Sequence, residues 1–513
     1  MNKHQDIKEI QTLEPAAAIK LWQSGRDEWN LWVAEHHECN VYFENVDFSA
    51  FRTDTESGIS FKGFNFPNGA VSFNKAEFGE GDVSFMDAKF REGNVFFSGA
   101  KFGDGNVGFN GAKFGDGNVD FNEAKFGDGN LDFNGTEFGD GDVYFIDVKF
   151  GDGCVDFYQA EFGDGDLNFY RAEFGKGYVN FQNAKFGDGD VSFNEAEFGD
   201  GNVDFNDAKF GHGDVEFNSA RFGDCIVDFR GTKLGDGEVR FYDATFMKGN
   251  VDFDEAEFGE GSVYFHISNF GECKVSFENI ACKARFNLSS DSKIQSLSFR
   301  GATFEKTVSI SQVNVLSIVD LVNTKLSNQL SLHGLTCKLK TLRNRFGFRV
   351  AQNIDDIERL TRLKELAETN KHHALALTFH ADEMRANRWQ AGTPALSSVM
   401  DLAFDLLCKY GRSVMRPFLL LVSTWPLFGL IYATMLSQLH SVKDIWGSVL
   451  TFTVMNSIPF LAIGRESRNA IKNSLFDGFS HMNWLYLTIG LQGVVSVSLL
   501  FLIGLGLRNR FRL

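Results

Sequence analysis

Residues 107–130 read VGFNGAKFGDGN and then VDFNEAKFGDGN, one 12-residue unit written twice. The unit is V-x-F-x-x-A-x-F-G-D-G-x, and 19 consecutive copies begin at Ile59, Val71 and Val83 and run on to Val275. Self-similarity at a fixed period marks a repeat architecture, in which one unit cannot bury its apolar face alone. Within the unit the apolar residues form two i, i+2 pairs, Val-x-Phe and Ala-x-Phe. That is the strand period, with both members of a pair on one face, and no helix can use it. Successive phenylalanines lie alternately 5 and 7 residues apart. The two extra residues fall in Gly-Asp-Gly, where glycine is expected to supply φ > 0 at a corner. Stacked short sides predict a parallel β-solenoid filled by a phenylalanine ladder. One 12-residue coil per unit is rejected, because two Phe, one Val and one Ala per turn would overfill so narrow a lumen. Looser relatives at Val41, Phe43, Val46 and Phe48, and at Leu297, Phe299, Ala302, Phe304, Val308 and Ile310, read as end coils.

The Phe-x-x-Ala-x-Phe spacing resembles the aromatic variant of the bacterial pentapeptide-repeat family, whose consensus A-(N/D)-L-x-x puts a small residue two before a central Leu or Phe. The likeness covers roughly residues 40–325. It implies an all-β right-handed quadrilateral β-helix in which two units, 24 residues, make one four-sided coil, wider at two corners than is usual in that family; nine or ten such coils at about 4.8 Å each make a rod on the order of 45 Å long. It also offers a function, because the family includes acidic solenoids that bind a type II topoisomerase in place of DNA. Residues 59–286 hold 42 acidic and 20 basic side chains, a net of −22 within a chain of −18, so the acid lies on the repeat. Charge that keeps a flat-sided rod from stacking edge to edge is the simpler reading of that acidity.

The 513 residues exceed what one core usually supports, and 56 Phe and 52 Gly beside only 6 Pro exclude collagen and Pro-rich disorder. The acidic balance gives no footprint for nucleic acid, so no nucleic-acid partner is expected. Seven scattered cysteines without a CxxC pair suit a reducing cytosol better than a disulfide framework. The opening MNKHQDIKEIQTLEPAAAIKLW has neither a basic n-region nor an apolar h-region, so no cleaved secretory signal is expected. G-D-G-D-V-x-F looks like part of a calcium-binding nonapeptide repeat, but the period is twelve and not nine.

Four segments are expected: a helical cap over 1–38, the solenoid over 39–338, a helical hairpin and juxtamembrane linker over 339–411, and a transmembrane α-helical module over 412–513. In the first, Leu21, Trp22, Gly25, Trp29, Asn30 and Trp32 read as a cover for the open solenoid end. From about Leu339 the period turns helical, with Ile357, Leu360, Leu363 and Leu366 on one face and a second helix over 371–388. His373, His380 and Glu383 on that helix do not form HExxH and lack a fourth donor, so a solvated face is preferred to a metal site. No phosphate loop, nucleophile elbow or His-carboxylate motif is present, and neither a catalytic site, nor a metal, nor a cofactor is expected; the chain does not read as an enzyme.

Residues 417–436 and 483–507 carry no charge and are long enough to span a bilayer. Lys409, Arg412 and Arg416 precede the first and Arg508, Arg510 and Arg512 follow the second, which puts both flanks, and the solenoid, on the cytoplasmic side of a bacterial inner membrane. The apolar stretch 445–463 is preferred as a re-entrant segment, with a third span as the alternative. Helix, re-entrant loop, helix resembles the plan of the smallest potassium channels, and Thr451, Phe452 and Thr453 resemble the T-x-T that opens their filter. The likeness ends at Val454, Met455, Asn456, Ser457, Ile458 and Pro459, which stand where T-V-G-Y-G would be, so potassium selectivity is not implied. Thr451, Thr453, Asn456, Ser457 and Pro459 are the candidate pore lining. The alternative is that these polar residues join helices, with Gly490, Gly493, Gly504 and Gly506 serving close packing. K-Y-G-R-S-V-x-R-P at 409–417 and G-L-R-N-R-F-R at 506–512 look like the corresponding segments of membrane-bound pentapeptide-repeat proteins. The expected partners are membrane lipid, further copies of the chain through the transmembrane module, and a cytoplasmic protein on the rod. Three functions fit: an oligomeric, weakly selective pore gated by contact, suited by analogy to a stress or antiphage effector; a membrane-tethered scaffold; and a topoisomerase-binding DNA mimic.

Overall fold

The computed structural model describes residues 11–52, 58–267, 269–345, 347–436, 442–458 and 463–511. Two compact units divide the chain, Met1–Leu339 and Lys340–Leu513.

The first unit is a β-solenoid with four parallel ladders around each coil. Val119 pairs with Val95 behind it and Val143 ahead, and Leu131 pairs with Val107 and Val155. The Ala-x-Phe segments supply the other two sides, through bridges such as Lys101 to Lys125 and Lys113 to Glu137. Each step is 24 residues, so two units make one coil. The longest ladder holds 14 strands, about 13 turns, where nine or ten were expected. The difference lies at the ends, because the loose relatives wind into full coils from Asn40–Tyr42 to Leu330–Ser331. The last coils also shorten, Val263 pairing with Phe286 and Phe286 with Val308, where the Gly-Asp-Gly corners are missing. At about 4.8 Å per coil the solenoid is on the order of 60 Å long.

Phenylalanines 24 apart stack face to face in columns, as in Phe97 and Phe121, with centroids 4.8 Å apart and planes 2° from parallel. Opposite columns meet edge to face, Phe109 and Phe121 at 5.6 Å and 89°. Both geometries are favoured by the ring quadrupole, and burying a ladder of such rings supplies most of the driving force. Ala112 and Ala124 are fully buried where the lumen narrows. Where Thr136 replaces alanine, its hydroxyl donates to the Phe109 carbonyl at 2.9 Å.

In most units the left-handed backbone does not sit at the Gly-Asp-Gly corner, although the corner glycines Gly79, Gly81, Gly249 and Gly271 do have positive φ. It falls two residues after the first Phe of each unit, at Glu123 (φ 59°), Asp147 (φ 53°) and Asn183 (φ 58°). There the Ala124 N–H donates to the Phe121 carbonyl at 2.9 Å, closing a tight turn. Most glycines of Gly-Asp-Gly are required for another reason: a Cβ on Gly141 would stand 2.5 Å from the carbonyl of Gly117, one coil back. The aspartate between them ties the coils together, Asp104 accepting from the Asp128 N–H at 3.1 Å and Asp128 from the Asp152 N–H at 3.0 Å.

Helices α1 (Pro15–Gln23) and α2 (Arg26–Glu35) carry the cap residues. Trp29 is fully buried against Phe43, Phe64 and Phe66, and its indole N–H donates to the Asn65 carbonyl at 2.7 Å. Trp22 packs on Phe48 and Phe61. The tryptophans thus continue the aromatic interior past the first coil, as a cap must.

The second unit opens on a short antiparallel hairpin, Thr341–Arg343 with Arg349–Ala351, so the helical pattern begins later than 339. Helices α3 (Asp356–Thr369) and α4 (His373–Asn387) pack as the expected pair, burying Leu360, Leu363 and Leu366. Then come α5 (Ala395–Cys408), α6 (Met415–Leu436), α7 (Val442–Asn456), α8 (Ile463–Leu475) and α9 (Met482–Phe511). Helices α6 and α9 are long and apolar enough to cross a membrane, with only 39% and 28% of their most apolar windows buried. Core helices of a water-soluble domain would be mostly covered.

Candidate functional site

The candidate pore-lining residues belong to α7 and the turn after it. At 15 residues α7 is about 22 Å long, short of the roughly 30 Å hydrocarbon core. The apolar stretch 445–463 is therefore not one helix. It breaks after Asn456, and the next helix, α8, begins at Ile463 with a polar face that includes Glu466, Arg468 and Lys472. Pro459 lies outside the described residues.

Thr453, Asn456 and Ser457 are all buried, on the side of α7 turned into the helical unit. Gln492, about a third of the way along α9, meets Thr453 and Ser457. Its Nε2 donates to the Thr453 carbonyl at 2.7 Å and to the Ser457 hydroxyl at 3.2 Å, while its Oε1 accepts from the Tyr432 hydroxyl of α6 at 2.9 Å. One carboxamide thus fastens three helices. The Thr453 hydroxyl donates to the Val449 carbonyl at 2.8 Å, and Ser457 to the Thr453 carbonyl at 3.1 Å. Around this polar centre pack Phe428, Tyr432, Leu436, Val449, Phe452, Leu475, Phe476 and Leu485. Helices α6 and α7 come close at Gly429, where a Cβ would make an ordinary contact 3.8 Å from the Thr453 hydroxyl, so the packing does not require glycine there.

Thr451 does not join the group; it is exposed and donates to the Gly447 carbonyl at 2.8 Å. Asn456 is buried with its carboxamide beside the Tyr432 hydroxyl and no other side-chain partner among the described residues; the Ser496 hydroxyl on α9 is buried with none. Uncompensated polar atoms at such burial cost on the order of 1–3 kcal/mol each unless water or another chain supplies a partner. Gln492 and Ser496 were not singled out from sequence. The signal was there, because Gln492 is the one carboxamide in the uncharged run between Trp484 and Leu507.

Of the other candidates, Glu383 sits between α3 and α4. Its carboxylate accepts from the Thr361 hydroxyl and the Lys364 ammonium at 2.7 Å each, with His380 at 3.5 Å. Burial alone would raise its pKa, but the hydrogen bonds from His380, Lys364 and Thr361 hold it down at about 2. On the solenoid, much of the acid is engaged: Lys113 pairs with Glu137 and Lys149 with Glu173 across neighbouring coils, both at 2.7 Å. The cysteines are free thiols, and burial pushes Cys225, Cys273 and Cys282 up to about 12.

No protein-family model matches this chain, and no curated protein or solved structure matches it.

Proposed function

We propose that this chain is a membrane-tethered repeat protein of the pentapeptide-repeat kind, whose solenoid is a rigid cytoplasmic surface for a protein partner and whose C-terminal helices anchor it in a bacterial inner membrane. The observation that carries the reading is the hydrogen bonding of Gln492 to Thr453, Ser457 and Tyr432. These polar groups are used inside one copy of the chain, to hold helices together where lipid offers no hydrophobic force between them. Helix α7 is then a re-entrant segment between the spans α6 and α9. The net charge of −22 over 59–286 suits a partner with a basic face, and no chemistry is assigned to the chain. The test is conductance of the full-length protein in planar bilayers. Silence at every oligomeric state is the expected result, and stepwise currents would overturn the tether.

One observation favours a second reading, an oligomeric and weakly selective pore. Ser496 is buried with no hydrogen-bond partner among the described residues and Asn456 meets only the Tyr432 hydroxyl, and water drawn to them would begin a hydrated path. Thr453, Asn456 and Ser457 would line it, with contact on the solenoid as the gate. Currents that Asn456→Leu abolishes while the oligomer persists would establish this reading.

A further inference from the structure

Helix α5 is amphipathic in the sense opposite to that of a helix on a water-soluble protein. Leu396, Val399, Met400 and Leu406 are between 52% and 67% exposed, and with Ala403 they form a single outward stripe at i, i+3, i+4, i+7 and i+10. Its two aspartates face inward. Asp401 accepts from the Arg388 Nε at 2.5 Å and from the Tyr410 hydroxyl at 2.8 Å. Asp405 accepts from Arg385 at 2.7 and 3.0 Å and from Arg388 at 3.1 Å. Helix α4 and the turn after α5 therefore take up the acidic face, and the apolar face is left outward.

That face is continuous with the outward surface of a candidate span. Met400, Ala403, Phe404 and Leu407 line one shallow apolar groove with Val497 and Phe501 of α9. Phe501 lies seven residues before Arg508, about 10 Å along the helix. At the other end of α5, exposed Lys409, Arg412 and Arg416 lead into α6. The Asn509 carboxamide donates to the Gly411 carbonyl at 3.3 Å, which brings this basic run to the same end of the helical unit as Arg508 and Arg510. An apolar stripe lying beside a span, next to a cationic layer, has the arrangement of an acyl-chain and headgroup boundary.

We propose that α5 is a membrane-embedded element, its stripe covered by lipid acyl chains beside α9 and the five basic residues at anionic headgroups. The inference rests on the reading that α6 and α9 span a membrane, and it replaces the expected aqueous linker before α6 with an interfacial helix. A stripe on α5 deep enough to meet Val497 would fix the helical unit's height in the bilayer as firmly as the spans do.

The test uses the full-length protein with Cys154 and Cys337 replaced by serine, in vesicles of phosphatidylcholine and phosphatidylglycerol. One environment-sensitive fluorophore is placed in turn at Leu396→Cys, Met400→Cys, Val494→Cys on α9 and Glu368→Cys on α3. Labels at 396 and 400 are expected to be quenched by acyl-brominated lipid as strongly as the label at 494 and shielded from aqueous iodide, with 368 showing the reverse. If 494 is quenched by lipid while 396 and 400 are open to iodide, the spans stand and α5 is an aqueous linker, which overturns the inference. If 396 and 400 are shielded from both quenchers while 494 meets lipid, a second copy of the chain covers the stripe, which overturns it too. If 494 itself does not meet lipid, the membrane reading fails and the inference falls with it.

Discussion

A single methyl group separates the two kinds of glycine in this repeat. Gly141 needs to be glycine because the preceding coil is too close for a Cβ, whereas Gly135 occupies a turn at φ 61° with nothing within 4 Å of its missing side chain. Gly141→Ala must push two coils apart against their hydrogen bonds and is expected to cost about 2–3 kcal/mol. Gly135→Ala meets only the left-handed backbone penalty, about 1 kcal/mol. Gly135→Asn is expected to be closer to neutral, because Asn183 holds the equivalent place at φ 58°. Thermal midpoints by circular dichroism rank the three, and a Gly135→Ala effect as large as that of Gly141→Ala would contradict the account. The sequence showed that glycine recurs at these points. It could not show which steric condition each glycine meets, since one condition is local and the other involves a residue 24 positions away.

At the scale of elements, Glu383 of α4 is tied to Thr361 and Lys364 of α3, with His380 beside it on its own helix. The folded carboxyl titrates at about 2, below its ordinary value of 4.5. Its stabilisation is therefore present in full above about pH 4.5 and is lost as the pH falls through about 2, a contribution on the order of 2 kcal/mol. Acid titration of the full-length protein in detergent is expected to destabilise the wild type more than Glu383→Gln over that window; equal acid sensitivity would remove Glu383 from the account. The helix pair itself was legible, because Leu360, Leu363 and Leu366 repeat at helical spacing. The polar core of α6, α7 and α9 was legible by half. Thr453, Asn456 and Ser457 stood out as polar residues in an apolar stretch, but Gln492 was passed over in a run long enough to span. Exposed Thr451 shows the limit of reading by segment: it lies two residues from Thr453, and the helical turn of about 100° per residue sends them to different faces. The inward acids and outward apolar stripe of α5 could not be read from spacing either, since an amphipathic pattern does not say which face meets the protein.

At the scale of the molecule, the solenoid is a one-dimensional stack whose register is 24 residues. Removing residues 131–154 takes out one coil and returns every ladder to an equivalent partner. The shortened full-length chain is expected to keep its far-ultraviolet spectrum and cooperative melting, with a modest fall in midpoint. Removing 131–136 instead sets Ala-x-Phe against Val-x-Phe sides and breaks the aspartate and Lys–Glu ladders beyond the cut; a chain that tolerated both deletions equally would refute the register. Residue type and spacing by themselves determined the parallel solenoid and its phenylalanine interior, because both follow from a 12-residue period carried along the chain, and the two segments able to cross a bilayer, because an uncharged run of that length is read locally. The four-sided coil of 24 residues came from the resemblance of the repeat to a known family. Tertiary structure alone decided the number of turns, the use of the Gly-Asp-Gly corners, the clasp of Gln492 on three helices and the orientation of α5. Those depend on which surfaces distant residues present to one another, and contact between separate helices or successive coils leaves no period in the sequence.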